Sequence, residues 1–170
     1  VTADHGMKPK HDANGEPSVV YVQDLLDEWL GEAKARVILP ITDPYVVHHG
    51  ALGSFATAYL PGEVDTTEIT EKLSNIEGIL LVINKSEAVK RFDLPPDRIG
   101  DIVIISTENM TLGTSVDRHD LEALKEPLRS HGGLTEQEVP FIVNRKIDLP
   151  EVPNLRNYDA FFYASIAANT

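Results

Sequence analysis

Two short apolar runs constrain the fold of this chain more than any other feature. ILLVIN (79–84) is apolar almost throughout, and DIVIIS (101–106) has an apolar centre. Strands with apolar side chains on both sides are typical of a sheet that helices cover on both faces. A third run, PFIVN (140–144), begins with proline, which a strand tolerates at its first residue. These runs predict an α/β fold with buried strands.

Amphipathic segments surround these runs. A first helix is predicted from Val19, with Ser18 as its N-cap and Gly31 at its end. Its apolar face consists of Val22, Leu25, Leu26, Trp29 and Leu30. A strand is predicted over 36–41 and a final helix over 159–168. Residues 1–3 are interpreted as the end of a buried strand.

The middle of the chain has a different pattern. SFATAYL (54–60) alternates in the manner of a half-exposed strand. Asp65 and Glu68 have the spacing of a capping box, which predicts a helix that begins there and ends by Gly78. A further short helix is expected from Ser86 to before Pro95. We therefore predict three parts: a core α/β segment over 1–41, a small α+β cap insertion over 42–98 with its own core, and a second core segment over 99–170.

Composition excludes several classes of function. The 170 residues carry a formal net charge of −12, which disfavours binding to nucleic acids or anionic membranes. There is no cysteine, so any metal must be held by His, Asp or Glu. The chain begins at Val1 without an initiator methionine. We interpret it as the C-terminal part of a longer protein, with the cytoplasm as the default location.

The opening stretch, VTADHG (1–6), is the first candidate site. Asp4 and His5 follow the predicted strand, and sites in parallel α/β sheets lie at the carboxyl ends of strands. A carboxylate oxygen and an imidazole nitrogen suit zinc, and Gly6 lets the backbone turn beside them. The alternative is an exposed Asp-His pair in a loop.

The second candidate is His131, in the stretch SHGG before the third apolar run. Two glycines after an imidazole permit close approach to a crowded centre, although a plain loop histidine fits the pattern equally well. The pair His48 and His49 has no carboxylate ligand in a fixed position nearby and is a weaker candidate. His11 and His119 are expected to be solvated. Two loop cations, which could attract an anionic substrate, are Lys8 and Lys10.

Together the two motifs carry a resemblance. TADHGMKPKHD (2–12), followed by SHGGLTEQEVPFIV (130–143), resembles the alkaline phosphatase superfamily, and most closely its phosphonate-hydrolysing branch. The resemblance spans nearly the whole chain. It implies part of an alkaline-phosphatase-like core sheet, flanked by helices and interrupted by a cap.

The resemblance also implies a reaction. Two Zn²⁺ ions would bind a small phosphonate, with Asp4 and His5 on one ion and His131 on the other. The expected reaction cleaves the C–P bond of phosphonoacetate into acetate and phosphate through a phosphorylated threonine. That threonine and the remaining metal ligands would precede Val1, so no catalytic residue is assigned within this chain and its substrate-binding residues are unknown.

Two alternative functions and one form of assembly are also considered. A nucleotide pyrophosphatase or phosphodiesterase of the same superfamily would share both motifs but would need aromatic residues to stack on a base, for which Phe55 and Tyr59 are rough candidates. A chain that exists alone would be a non-catalytic fragment with an incomplete metal site. A homodimer is one expected assembly.

Overall fold

The computed structural model describes residues 1–41, 52–144, 146 and 155–168. These residues form short strands and helices in a mixed α/β order. The strands are β1 (Lys8–Pro9), β2 (Val19–Tyr21), β3 (Arg36–Ile38), β4 (Phe55–Tyr59), β5 (Ile79–Asn84), β6 (Ile102–Ser106), β7 (Thr111–Gly113) and β8 (Arg129–Ser130). The helices are α1 (Val22–Leu30), α2 (Thr66–Ser74), α3 (Lys85–Phe92) and α4 (Asp159–Ala168).

The largest sheet has four strands in the order β3-β4-β6-β5, and every neighbouring pair is antiparallel. β6 is buried along its whole length because it lies between β4 and β5. Its side chains alternate between the two faces of the sheet. Ile102 and Ile104 belong to one apolar core, whereas Val103 and Ile105 belong to another. The prediction that DIVIIS is a buried strand is confirmed.

Helices cover the two faces of this sheet. The larger core includes Leu26 of α1 and both Ile69 and Leu73 of α2, and the smaller core includes Ala88 of α3. Burying these apolar stripes is the main force that holds the helices on the sheet. None of the described helices is long and apolar enough to cross a bilayer.

Two predictions about strand exposure were wrong in detail. SFATAYL is not half-exposed: Ala56, Thr57 and Ala58 of β4 are all buried, because β4 lies between β3 and β6. ILLVIN is confirmed as a strand, but β5 lies at the edge of the sheet and Leu80 is exposed. Local alternation reports which faces are apolar and carries no information on strand order.

The helices agree better with the sequence, with one shift. Asp65 is the N-cap of α2, and its side chain accepts a hydrogen bond from the Thr67 amide. The predicted final helix over 159–168 is confirmed as α4. The first helix begins at Val22, because residues 19–21 form β2 and pair with β7 in parallel. Ser18 is therefore not a helix cap, whereas Gly31 does end α1, with a φ of 96°.

Two predicted strands are absent from the described residues. Residues 1–3 are not in a strand, and Val1 is 89% exposed, not buried. PFIVN is also irregular and exposed. The two segments nevertheless meet, since the Ile142 amide donates to the Val1 carbonyl at 2.8 Å and the Val1 amino group donates to the Ile142 carbonyl at 2.6 Å.

The four-stranded sheet crosses the predicted segment boundaries. β4 and β5 lie within 42–98, whereas β3 precedes this range and β6 follows it. The structural unit that contains β4 and β5 therefore extends at least from Arg36 to Ser106. The division of the chain into core and cap stays a prediction, and residues 42–51 lie outside the described residues.

Candidate metal centre

The two candidate motifs lie side by side because their neighbouring segments pair. β1 follows the first motif and is antiparallel to β8, with Lys8 opposite Ser130. Beyond the strands, the Gly6 amide donates to the Glu136 carbonyl at 2.7 Å. His5 and His131, one from each motif, are therefore close in space although they are distant in sequence.

The imidazole rings of His5 and His131 stack face to face. Their centroids are 3.7 Å apart and their planes are inclined by 10°. The His131 loop is anchored by its backbone, since the His131 carbonyl accepts from the Ser54 amide at 2.9 Å. Both motifs thus contribute a histidine to one small region of the surface.

The tautomer of His5 is fixed by its own loop. Nδ1 lies 2.8 Å from the Gly6 carbonyl oxygen, which can only accept, so in the neutral ring Nδ1 carries the proton. Nε2 therefore carries the lone pair and is the ring nitrogen able to bind a metal. A hydrogen bond from the other ring nitrogen is the usual support for a metal-binding histidine.

Asp4 is placed to share an ion with His5. Its Oδ2 lies 3.8 Å from His5 Nε2, while Oδ1 accepts from the His5 amide at 3.1 Å. Two donors on one tetrahedral zinc, each at ~2.0–2.1 Å, lie roughly 3.3 Å apart. The 3.8 Å between Asp4 Oδ2 and His5 Nε2 is slightly longer, and a small rotation of either side chain would close the difference. Carboxylate oxygen and imidazole nitrogen are both donors that zinc binds. These residues fit part of a zinc site.

The donors open onto a cavity of about 920 Å³. The Asp4 side chain is 85% exposed and that of His5 39%, so both are accessible to a ligand. Residues from the end of α3 and the start of α4 form other parts of the wall. These include the cationic groups Arg91 and Arg156, and Arg156 is paired with Asp93 at 3.3 Å.

A buried ion pair adjoins both motifs. Lys10 Nζ donates to Glu136 Oε1 at 2.9 Å, and both residues are almost fully buried. Burial lowers the pKa of Lys10, against the attraction of Glu136. For Glu136, burial acts to raise the pKa, but the hydrogen bonds from Thr135, Lys10 and the Gly133 amide outweigh it and hold the pKa below its usual value.

Sequence reasoning missed this pair. Lys10 lies among polar residues and was expected to be an exposed loop cation, but its side chain donates to Glu136 and to the Glu108 carbonyl. Lys8 is also engaged, with Glu108 at 2.7 Å. One signal was available for Glu136: it lies three residues after Gly133, the spacing of a capping box, and its side chain does accept from the Gly133 amide.

The other histidines that the structure describes, His11 and His119, are not part of this centre. His48 and His49 lie outside the described residues. His11 donates from Nδ1 to the Asp12 carbonyl at 2.8 Å. His119 is buried, not solvated, and its Nε2 accepts from the Thr114 amide at 2.9 Å. Within the described part of the chain, no three His, Asp or Glu side chains converge on a common point.

Comparison with known proteins adds a close relationship. No protein-family model matches the chain. Among solved structures, phosphonoacetate hydrolase from Sinorhizobium meliloti 1021 in complex with phosphonoformate shares 71% sequence identity over 98% of this chain, with a TM-score of 0.90. This chain is similar to part of a phosphonoacetate hydrolase. The same enzyme in complex with phosphonoacetate gives 71% identity and a TM-score of 0.89.

The similarity extends over only part of the length of that enzyme. The chain spans 41% of the length of the Sinorhizobium meliloti phosphonoacetate hydrolase. The mixed α/β fold predicted from sequence is confirmed as part of an alkaline-phosphatase-like fold. Murine ectonucleotide pyrophosphatase/phosphodiesterase 5 gives 21% identity over 78% of this chain and 33% of that chain, with a TM-score of 0.44, a value too low to establish a shared fold.

Proposed function

We propose that this chain forms part of a zinc-dependent hydrolase that cleaves the C–P bond of phosphonoacetate. The single observation that carries the proposal is the 71% identity to phosphonoacetate hydrolase over 98% of the chain. That relative has been crystallised with phosphonoacetate and with phosphonoformate. Both are small anions, and the cavity beside Asp4 and His5 is large enough for such a molecule.

The proposed donors belong to two ions. A metal bound to an imidazole nitrogen lies close to the plane of the ring. The rings of His5 and His131 are nearly parallel and their centroids are 3.7 Å apart, which disfavours a single ion in both ring planes. The ring separation is close to the ~3.5–4 Å between the metals of two-metal sites. This supports one ion on Asp4 and His5 and a second ion on His131.

Zinc would supply charge neutralisation at the phosphoryl oxygens and a lowered pKa for the attacking group. The residues of this chain would hold the ions and, through them, orient the phosphonate. In the net reaction water adds an oxygen to phosphorus and a proton to carbon, while the C–P electron pair passes to the methylene carbon. The neighbouring carboxylate stabilises the negative charge that develops on that carbon. The products are acetate and phosphate.

The phosphodiesterase alternative receives no support from the proposed base-stacking residues. Phe55 packs against the smaller apolar core, whereas Tyr59 is at the other end of β4. Four residues along a strand correspond to about 13 Å, too far for the two rings to enclose one base. A non-catalytic role for the chain alone remains the other alternative, since its described donors do not complete a metal site.

The test is a comparison of two substrates with the full-length protein and zinc. We expect phosphate release from phosphonoacetate with a kcat/KM far above that for a bis-nitrophenyl phosphodiester. A chelated sample, restored by added zinc, is the control for metal dependence. The opposite ranking of the two substrates would reject phosphonoacetate hydrolysis in favour of the phosphodiesterase branch.

A further inference from the structure

Lys10 and Glu136 form a buried ion pair between segments that are 126 residues apart in sequence. Lys10 is 0% exposed and Glu136 2%. We propose that this pair is a positioning device that fixes the Asp4–His5 loop and the His131 loop relative to each other for metal binding. The inference rests on the proposed function, because it concerns the same metal donors.

Glu136 touches both loops. Its backbone carbonyl accepts from the Gly6 amide at 2.7 Å, directly after His5. Its Oε2 accepts from the Gly133 amide at 2.8 Å, two residues after His131. Its remaining oxygen, Oε1, accepts from Lys10 Nζ at 2.9 Å and from the Thr135 hydroxyl at 2.6 Å. One residue therefore hydrogen bonds to both histidine-bearing loops.

Lys10 connects this residue to the sheet. Besides Glu136, Nζ donates to the Glu108 carbonyl at 2.6 Å, in the turn between β6 and β7. The Lys10 backbone continues the β1–β8 ladder, since its amide donates to the Leu128 carbonyl at 2.8 Å. Lys10 thus links the Glu136 carboxylate to the turn between β6 and β7.

The glycines of both motifs allow this close approach. A Cβ on Gly133 would lie 2.8 Å from Glu136 Oε2 and 2.7 Å from the Ser54 Cβ. A Cβ on Gly6 would lie 3.1 Å from the Glu136 carbonyl oxygen. Any other residue at Gly133 would push the carboxylate away from the amide that it binds. The glycines therefore serve the contact with Glu136 and not only access to a ligand.

Stability alone is a weak reason for burying these charges. A buried ion pair commonly contributes little more to stability than apolar residues of the same size, because both charges must leave water. What apolar residues cannot provide is a set of directed hydrogen bonds to two separate loops. Groups that orient metal ligands without touching the metal commonly alter metal affinity by 10–100-fold when they are replaced.

The first test measures zinc affinity in the full-length protein by competition with a chromophoric chelator. Lys10→Met and Glu136→Gln should weaken zinc binding by about 10-fold or more in the folded protein. Lys8→Met is the matched control, since it removes the neighbouring but exposed pair with Glu108 and should change zinc affinity by less than twofold. Folded Lys10 and Glu136 variants with wild-type zinc affinity would overturn the proposal.

A second measurement needs neither zinc nor activity. Stacked imidazoles shift each other's ring protons upfield, so the proton spectrum of the metal-free protein reports the His5–His131 stack. The shifts should move toward free-histidine values in Lys10→Met and stay unchanged in Lys8→Met. A variant that lowers the Tm but leaves the ring shifts intact would assign the pair a purely structural role.

The wild-type protein provides a test that does not depend on the folding of any variant. The amides of Gly6 and Gly133 should exchange with solvent far more slowly than that of the exposed Gly62, because Glu136 accepts from both. Equal exchange rates would overturn the positioning role. Absence of zinc binding by the wild-type protein would instead overturn the proposed function, while exchange rates and ring shifts would still test the pair.

Discussion

The imidazole rings of His5 and His131 stack with their centroids 3.7 Å apart, although the two residues belong to different motifs. The contact exists because β1 and β8 pair and because Gly6 hydrogen bonds to Glu136. Two parallel rings present their nitrogens in two parallel planes, an arrangement compatible with the two neighbouring ions proposed above.

Replacing either donor of the first motif should remove one ion. Asp4→Asn or His5→Ala in the full-length protein is expected to lower the zinc content toward one ion per subunit and to abolish phosphonate hydrolysis. Zinc content by elemental analysis is the measurement. His11→Ala is the matched control, because His11 bonds only to its neighbour Asp12 among the contacts described for it. Unchanged zinc in both donor variants would reject their assignment.

Replacing His131 should remove the other ion. We expect His131→Ala to lose zinc even with Asp4 and His5 intact, because the nearly parallel ring planes assign the two histidines to different ions. A zinc-loaded crystal structure provides the direct measurement, with a zinc–nitrogen distance of ~2.0–2.1 Å. An imidazole of His131 more than about 3 Å from any ion would contradict the prediction.

The stability of the protein should fall in acid through Glu136. Its folded pKa lies below the unfolded value of 4.5, so its contribution is complete above 4.5 and is lost as the pH falls through the folded pKa. Between the two values the free energy of unfolding should fall by about 1.4 kcal/mol per pH unit from this group. Urea unfolding of the wild type and of Glu136→Gln, from pH 7 to pH 3, measures the difference, and parallel curves would contradict the prediction.

Gly100→Ala should destabilise the four-stranded sheet. A Cβ at Gly100 would lie 2.6 Å from the Thr57 hydroxyl oxygen and would also meet the Ala58 carbonyl of β4. Overpacking of this kind costs about 1–3 kcal/mol. Gly62→Ala is the control, since no atom lies within 4 Å of its added Cβ. Thermal unfolding measures both variants, and equal Tm values would show that the sheet relaxes around the extra methyl group.

The sequence predicted the elements with strong local signals. α4 has the predicted bounds, and α2 has the predicted N-cap, because helix periodicity and capping are local properties. The strand order was not predictable in this way. β4 alternates like a half-exposed strand but is buried, because its environment depends on β3 and β6, which are distant in sequence.

The sequence identified the candidate site residues but did not predict how they come into contact. Both motifs were recognisable, but their contact depends on pairing between β1 and β8, which have only two residues each. The burial of Lys10 could not be inferred from its polar neighbours, since a lysine is rarely buried without a partner and the partner is far along the chain. Glu136 had a local signal, and Lys10 had none.

The long sequence separation of Lys10 and Glu136 has a kinetic consequence. Contacts across 126 residues close a large loop, and such contacts form after the local ones that make up helices and hairpins. We therefore expect the zinc donors to come together late in folding, after the transition state. Interactions absent from the transition state alter the unfolding rate alone. In stopped-flow experiments, zinc should slow unfolding and leave the refolding rate unchanged, whereas faster refolding would show that the donors meet early.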